Sequence, residues 1–288
     1  MIWTMKTLTE SMNLQRNKGL QKASVILLAL WISGCGASKN TSTTAPNPAD
    51  YTSKLSQQQV NATLWYGESL ENHYLYLNLY DHATSIIREK VGLDRKRQSA
   101  VVLDLDETVL NNAPYQYERI SKGLGFTSES WDNWVRREAA EALPGSLEFT
   151  QLCKKLGIEV FYISNRSEET LPATLENLSK LGFPNAEPDF VMLKTNTSNK
   201  DLRRRKVSSR YDILVFLGDQ LTDFSSLFED LEQPVSKEKL TSLYPEMSRQ
   251  FILFPNPMYG EWEKHLLGPE QKSDEEKLLQ KQSLFRGK

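Results

Sequence analysis

Two acidic clusters carry the chemistry open to this sequence. Asp104-Leu105-Asp106-Glu107-Thr108 sets two carboxylates two residues apart, and Gly218-Asp219-Gln220-Leu221-Thr222-Asp223 sets two more four residues apart. Where the chain turns beyond a strand end, carboxylates at i and i+2 can share one site. One then coordinates a hard cation or acts as a nucleophile, and the other handles protons. Four acids gathered in one place repel strongly unless a divalent cation neutralises them. The chain has 3 His, none of them in these clusters, so oxygen-only ligation points to Mg²⁺ over zinc. Such a centre needs an anionic substrate, and phosphate is the commonest. Ser164 and Asn165 offer donors to phosphate oxygens, and Arg166 and Lys200 offer positive charge. Together these are the parts of a phosphoryl-transfer site.

The elements that must bring them together are legible as apolar runs. Residues 100–104, 158–164, 190–194 and 213–219 each end in a polar cluster, and a fifth run, 251–255, ends in Asn256-Pro257. Near-continuous apolar runs of this length mark strands buried on both faces, as in a parallel sheet. The segments between them are long enough for crossover helices, for example 168–181, which ends at Gly182 and Pro184. An open parallel sheet binds its ligand beyond the carboxyl ends of its strands. The polar residues after these runs therefore converge, although they lie far apart in the chain. Lys194 competes with Lys200 as the phosphate lysine. Arg203, Arg204, Arg205 and Lys206 next to it form a run of the kind that is usually a solvated helix face.

Residues 54–96 have a helical pattern carried by Leu64, Tyr66, Leu70, Tyr74, Leu75, Leu77 and Tyr80. The stretch 111–145 holds Trp131 and Trp134 and is too long for a plain crossover. A small helical cap, approximately 54–98 and 111–145, is expected over the site. The main domain is expected to span 54–270, with 271–288 a charged C-terminal tail, as a surface helix or a frayed end.

Composition narrows the class. The 288 residues are 39% hydrophobic and 25% charged, with a net charge of 35 − 37 = −2. That excludes disorder as the main state, and near-neutral charge gives no reason to expect a nucleic-acid partner. Only one stretch is continuously apolar. It lies at residues 23–32, behind Lys6, Arg16, Lys18 and Lys22, and reads as a secretory signal too short to span a membrane. Met5 and Met12 are alternative starts. Residues 35–53 are expected to form a flexible tether, small, polar and proline-containing over 36–50. Cys153 is then unpaired and reads as a small buried hydrophobe.

Ile32-Ser33-Gly34-Cys35 resembles a bacterial lipobox, which implies cleavage after a signal peptide of residues 1–34 and lipid on the Cys35 sulfur. The expected location is the bacterial cell envelope, with the outer membrane favoured because no retention aspartate follows Cys35. An ordinary signal peptide, with Cys35 incidental, is the alternative.

The ordered set Asp-x-Asp-x-Thr, Ser/Thr, Lys and Gly-Asp-x-x-x-Asp resembles the haloacid dehalogenase superfamily. The longer motifs are similar to the class C bacterial, or lipoprotein, acid phosphatases. They are 102–115, Phe161-Tyr162-Ile163-Ser164-Asn165-Arg166, Ser198-Asn199-Lys200, 218–224 and Asn256-Pro257-Met258-Tyr259-Gly260-Glu261-Trp262. The likeness implies an α/β fold, a doubly wound parallel sheet with a small helical cap, and an Mg²⁺-dependent phosphomonoesterase with an acidic optimum. It implies Asp104 as nucleophile forming an aspartyl-phosphate and Asp106 as acid and then base. Mg²⁺ would be held by Asp104, the Asp106 main-chain carbonyl and Asp219, with Asp223 nearby. Ser164 and Lys200 would bind the phosphoryl group, with Asn165 and Arg166 beside them. Small phosphomonoesters, 5′-nucleotides among them, are the implied substrates, their ring held between aromatic side chains, here Trp131 and Tyr259. Gln220 departs from the usual Asn.

Two other functions stay open on the same residues. One is a phosphotransferase using the same covalent intermediate. The other is a non-catalytic surface lipoprotein, which loss of Asp104 or Asp106 would have signalled. Oligomeric state is not legible.

Overall fold

The computed structural model describes residues 47–93 and 97–286. The expected signal peptide, Cys35 and the expected tether up to residue 46 lie outside the described residues. Helix α1 (Pro48–Gln58) starts where the Asn47 side chain accepts from the Ala49 amide, with Pro48 in its first turn. Helices α2 (Val60–Glu68) and α3 (Leu70–Val91) follow, separated by Ser69, whose extended backbone breaks the helix and whose hydroxyl accepts from Asn72 N at 3.0 Å. Then come β1 (Ser99–Leu103), β2 (Leu110–Asn111), α4 (Ala113–Ser121), α5 (Ser128–Val135), β3 (Glu141–Ala142) and α6 (Ser146–Lys155). The chain continues through β4 (Glu159–Ser167), α7 (Leu171–Leu181), β5 (Val191–Lys194), α8 (Asp201–Ser208) and β6 (Asp212–Gly218). It closes with α9 (Lys237–Met247), β7 (Phe251–Leu253), α10 (Glu261–Leu267) and α11 (Asp274–Arg286).

The five apolar runs are the five strands of one sheet, in the order β5-β4-β1-β6-β7, with every pair parallel. β2 and β3 form a separate antiparallel pair. Successive side chains point to opposite faces, and both faces are covered. Val101, Leu103, Val160, Tyr162 and Val215 enter the larger core with residues of α3, α6 and α7; Ala100, Val102, Phe161 and Ile163 pack on the other face with Val207 of α8. This is the doubly wound arrangement. From β1 the chain builds outward to β5 on one side, then returns to lay β6 on the other. The crevice beyond the β1 carboxyl end is therefore the topological switch point.

Two expectations need correction. The tether does not extend to residue 53, because 48–53 are already helical. Tyr51 Oη donates to Glu275 Oε1 at 2.8 Å and Thr52 Oγ1 to Asp274 Oδ2 at 2.6 Å, so α1 is paired with α11. Of the two forms expected for the tail 271–288, its described part is the helix, docked on α1. The segment 54–98 is also not one cap element. Its helical face is carried by Tyr66, Tyr76, Tyr80, Ala83, Ile86 and Ile87, all buried, whereas Leu70, Tyr74 and Leu77 are exposed. The break at Ser69 resets the phase, which turns α3 into a core layer against β6 and leaves α1 and α2 lying on α4. Among the described residues no helix is long and apolar enough to cross a membrane.

Candidate active site

The loop after β1 sets the geometry. Asp104 N still donates to Leu217 O at 2.9 Å, so this carboxylate leaves directly from the sheet beside β6. The chain then turns tightly, with Val109 N and Leu110 N both donating to Leu105 O at 2.9 Å. The turn needs a left-handed residue, and Glu107 takes it at φ 58° while fully buried. Helix α3 braces the turn: the Tyr76 hydroxyl donates to Glu107 O, and the Tyr80 hydroxyl donates to Thr108 O at 2.8 Å. Those two tyrosines, one helical turn apart, hold the backbone between the two catalytic candidates and the hairpin.

Asp104, Asp219 and Asp223 each present a carboxylate oxygen, all within 4.8 Å of one another. Lys200, buried at the start of α8, bonds Asp104 Oδ1 and reaches Asp223 Oδ1 at 2.7 Å. Of the two competing lysines, Lys200 is thus the one on the carboxylates, while Lys194 ends β5, half-buried. Burial, with Asp223 and Asp106 nearby, pushes the Asp104 carboxyl up to about 7, against the pull of Lys200. Burial, with Asp223 and Asp104 beside it, pushes Asp219 well above the usual carboxylate range. An all-oxygen cluster whose members resist ionising together fits a hard divalent cation, which would supply the missing positive charge.

The cluster is built by close approach. A Cβ on Gly218 would collide with the Asp223 carboxylate, which folds back to accept from Gln220 N at 3.0 Å. Gln220 Oε1 in turn accepts from Glu261 N at 2.8 Å, and Asn256 Nδ2 donates to Asp219 Oδ2 at 2.8 Å. The loop after β7 is therefore fastened to the acidic loop at two points.

Asp106 has different partners. Arg166 Nε lies 3.0 and 3.1 Å from its two oxygens and Arg166 Nη2 2.6 Å from Oδ1. Asn112 Nδ2 donates to Oδ1 at 2.9 Å, and the Ser164 hydroxyl donates to Oδ2 at 3.3 Å. Arg166 was expected among the phosphate groups. Its guanidinium is buried and bonded to Asp106, because a charge removed from water must be paired. Asn165 is exposed and accepts from Arg203 Nη2 at 2.8 Å. The run after Lys200 is not simply a solvated face. Arg203 Nη1 donates to Ser164 O at 2.6 Å, and buried Arg204 donates to Thr222 O and Asp223 O at 3.0 and 2.8 Å. Helix α8 thereby staples the end of β4 to the acidic loop after β6.

Trp131, in α5, is half-buried and edge-on to Tyr115 at 5.0 Å between ring centroids. Tyr259 is half-buried, with its hydroxyl enclosed and without a hydrogen-bond partner. Asn112, Asn256, Arg203, Arg204, Tyr76 and Tyr80 are site residues that the sequence reading does not assign to the site. Asn112 and Asn256 sit inside the quoted motifs, which was the available signal.

Residues 32–262 match the profile of the HAD superfamily, subfamily IIIB (Acid phosphatase). The chain belongs to this family. The subfamily IIIB match ends inside α10 and leaves α11 beyond it. Among solved structures, the class C acid phosphatase from Bacillus anthracis is 37% identical, with a TM-score of 0.74 over 80% of this chain and 97% of that one. A crystal structure of class C acid phosphatase from the same organism with tungstate bound matches at 36% identity and the same TM-score, 0.74. Acid phosphatase 1 of Solanum lycopersicum is 33% identical over 178 residues, 59% of this chain and 62% of that protein. A stem 31 kDa glycoprotein of Glycine max is 29% identical over 165 residues, 55% of this chain and 58% of that protein. The chain spans about three fifths of the length of these two curated relatives.

Proposed function

We propose that this protein is an Mg²⁺-dependent acid phosphatase that hydrolyses phosphomonoesters through an aspartyl-phosphate on Asp104. The observation that carries this is the placement of Asp104, at the topological switch point, on Lys200 and within one cluster with Asp219 and Asp223. An Asp104 oxygen attacks phosphorus, the ester P–O bond breaks, and the leaving oxygen takes a proton from Asp106. Asp106, now a carboxylate, takes a proton from water as the water oxygen attacks phosphorus. The aspartyl P–O bond then breaks and phosphate departs. Lys200 and the Ser164 hydroxyl hold the phosphoryl oxygens. A bound Mg²⁺, on Asp104, the Asp106 carbonyl, Asp219 and Asp223, would neutralise charge on the transferring group. The tungstate bound to a Bacillus anthracis relative is a tetrahedral oxyanion like phosphate, which supports the substrate class. The complete acidic set favours catalysis over a purely binding lipoprotein.

The finer reading takes 5′-nucleotides as substrates, with Trp131 and Tyr259 contacting the base. It also places the domain in the cell envelope on a lipidated Cys35, in which case Cys35→Ser releases it from membranes. The test of the central reading is hydrolysis of p-nitrophenyl phosphate by the mature domain, with EDTA and after Mg²⁺ is restored. Activity that disappears and returns supports it; full activity in chelator, or none with Mg²⁺, overturns it. Transfer of phosphate to added alcohols in preference to water would favour the phosphotransferase instead.

A further inference from the structure

Among the described residues, the two carboxylates of Asp104-Leu105-Asp106 share no side-chain cation. Asp104 is on Lys200, and Asp106 is on Arg166, Asn112 and Ser164. Arg166 is the bulkiest of the fully buried side chains, so its guanidinium has essentially no solvent contact. Its Nη1 donates to Thr174 Oγ1 of α7 at 3.3 Å, and its backbone N–H donates to Ser164 Oγ at 3.1 Å, which fixes the side chain from both ends. Asn112 is equally constrained. Its amide oxygen accepts from Trp134 Nε1 at 2.8 Å, which turns its NH₂ group toward Asp106, and its backbone N–H donates to Glu107 Oε1 at 3.0 Å.

We infer that Arg166, and Asn112 oriented by Trp134, are positioning residues that hold the Asp106 carboxylate in the plane from which it exchanges a proton with the leaving oxygen and with water. The inference rests on the acid and base role proposed for Asp106. Arg166 approaches the carboxylate from β4 and Asn112 from the loop before α4, with Asn112 itself held from α5 through Trp134, so position and rotation of the carboxylate are both restrained. A rigid guanidinium fork and an amide of fixed orientation suit that task better than a flexible ammonium would. Their engagement with Asp106 also sets them apart from Lys200, which lies among the acids expected to meet the phosphoryl group.

The test compares Arg166→Met, Arg166→Lys, Asn112→Ala and Trp134→Phe with the unaltered protein on two substrates that differ in how much they need an acid. Glycerol phosphate has a poor leaving group that must be protonated, whereas p-nitrophenolate departs without help. If the inference holds, Arg166→Met and Asn112→Ala lower kcat on glycerol phosphate by roughly 10²-fold, the size expected of a small misplacement. They leave the first turnover of p-nitrophenyl phosphate fast, seen as a burst of p-nitrophenol followed by slow release of phosphate. Inhibition by inorganic phosphate stays within about twofold of the unaltered protein. Arg166→Lys restores little, and Trp134→Phe shows the same pattern more weakly.

Weaker phosphate inhibition and a raised KM on both substrates would make Arg166 a phosphate ligand and overturn the inference. Equal loss of kcat on both substrates without a burst would reduce these residues to scaffolding and also overturn it. Should Arg166→Met fail to fold, Asn112→Ala and Trp134→Phe decide by the same criteria. An unaltered protein that hydrolyses neither ester defeats the phosphatase reading itself, whereas activity on both with unselective variants defeats only this inference.

Discussion

Asn256 donates its side-chain amide to Asp219 Oδ2 at 2.8 Å, and its own Oδ1 accepts from Met258 N and Tyr259 N at 3.0 and 3.4 Å. One side chain therefore orients a carboxylate of the acidic cluster and shapes the turn that carries Tyr259. Groups that orient a metal ligand typically contribute about 10–100-fold in metal affinity. On the proposed Mg²⁺-dependent, nucleotide-hydrolysing reading, Asn256→Ala is expected to raise the Mg²⁺ concentration for half-maximal activity by roughly tenfold or more and also to raise KM for nucleoside monophosphates. A metal titration of phosphatase activity checks the first effect, and an unchanged titration curve removes Asn256 from this role.

Asp104→Asn keeps the shape of the side chain and loses the attacking charge, so turnover is expected to vanish while the circular-dichroism spectrum and the melting curve stay native-like. A residual rate above about a tenth of the original corresponds to less than roughly 1.4 kcal/mol of barrier. That result would move the nucleophile elsewhere.

Base–aromatic stacking contributes about 1–3 kcal/mol per contact. On the nucleotide reading, Trp131→Ala and Tyr259→Ala should therefore raise KM for nucleoside monophosphates by roughly tenfold or more, with kcat on a small aliphatic phosphate nearly unchanged. Both side chains also pack against the core. Parallel losses on both substrates would mark them as packing residues, and steady-state kinetics on the two substrates separates the cases.

Cys153 lies at 0% exposure in the larger core, and burial pushes its thiol up to about 12. Cys153 of the native protein is expected to react with thiol reagents only after unfolding, since the thiolate is the nucleophile. Because the folded thiol holds its proton more tightly than the unfolded one, its contribution to stability is fully present below pH ~8.5 and is lost as pH rises toward the folded value. The melting temperature of the native protein should fall relative to Cys153→Ala above that pH. A difference that stays constant from neutral to strongly alkaline pH would show that the thiol does not titrate differently on folding.

Local pattern alone determined the five parallel strands and the acidic ends of β1 and β6, because an apolar run followed by a polar cluster is written in consecutive residues. It also put Ser164 with those acids, at the same edge of the sheet, and narrowed the phosphate lysine to Lys194 or Lys200, between which only the fold decided. Partner choice was a tertiary matter. Arg166 and Lys200 are both cations after a strand, yet one is bonded to Asp106 and the other to Asp104 and Asp223. That division depends on the turn at Glu107 and on the bases of α7 and α8, which no spacing reports. The burial of α3 was equally out of reach. Tyr74 and Tyr76 are the same residue type two positions apart, and only packing against the sheet leaves the first exposed and encloses the second under the Glu107 carbonyl. Arg203 and Arg204 look like surface charge because a basic run on a short helix is usually solvated. The fold turns both inward, where Arg203 donates to a carbonyl of β4 and Arg204 to carbonyls of the acidic loop after β6, because buried backbone carbonyls need donors.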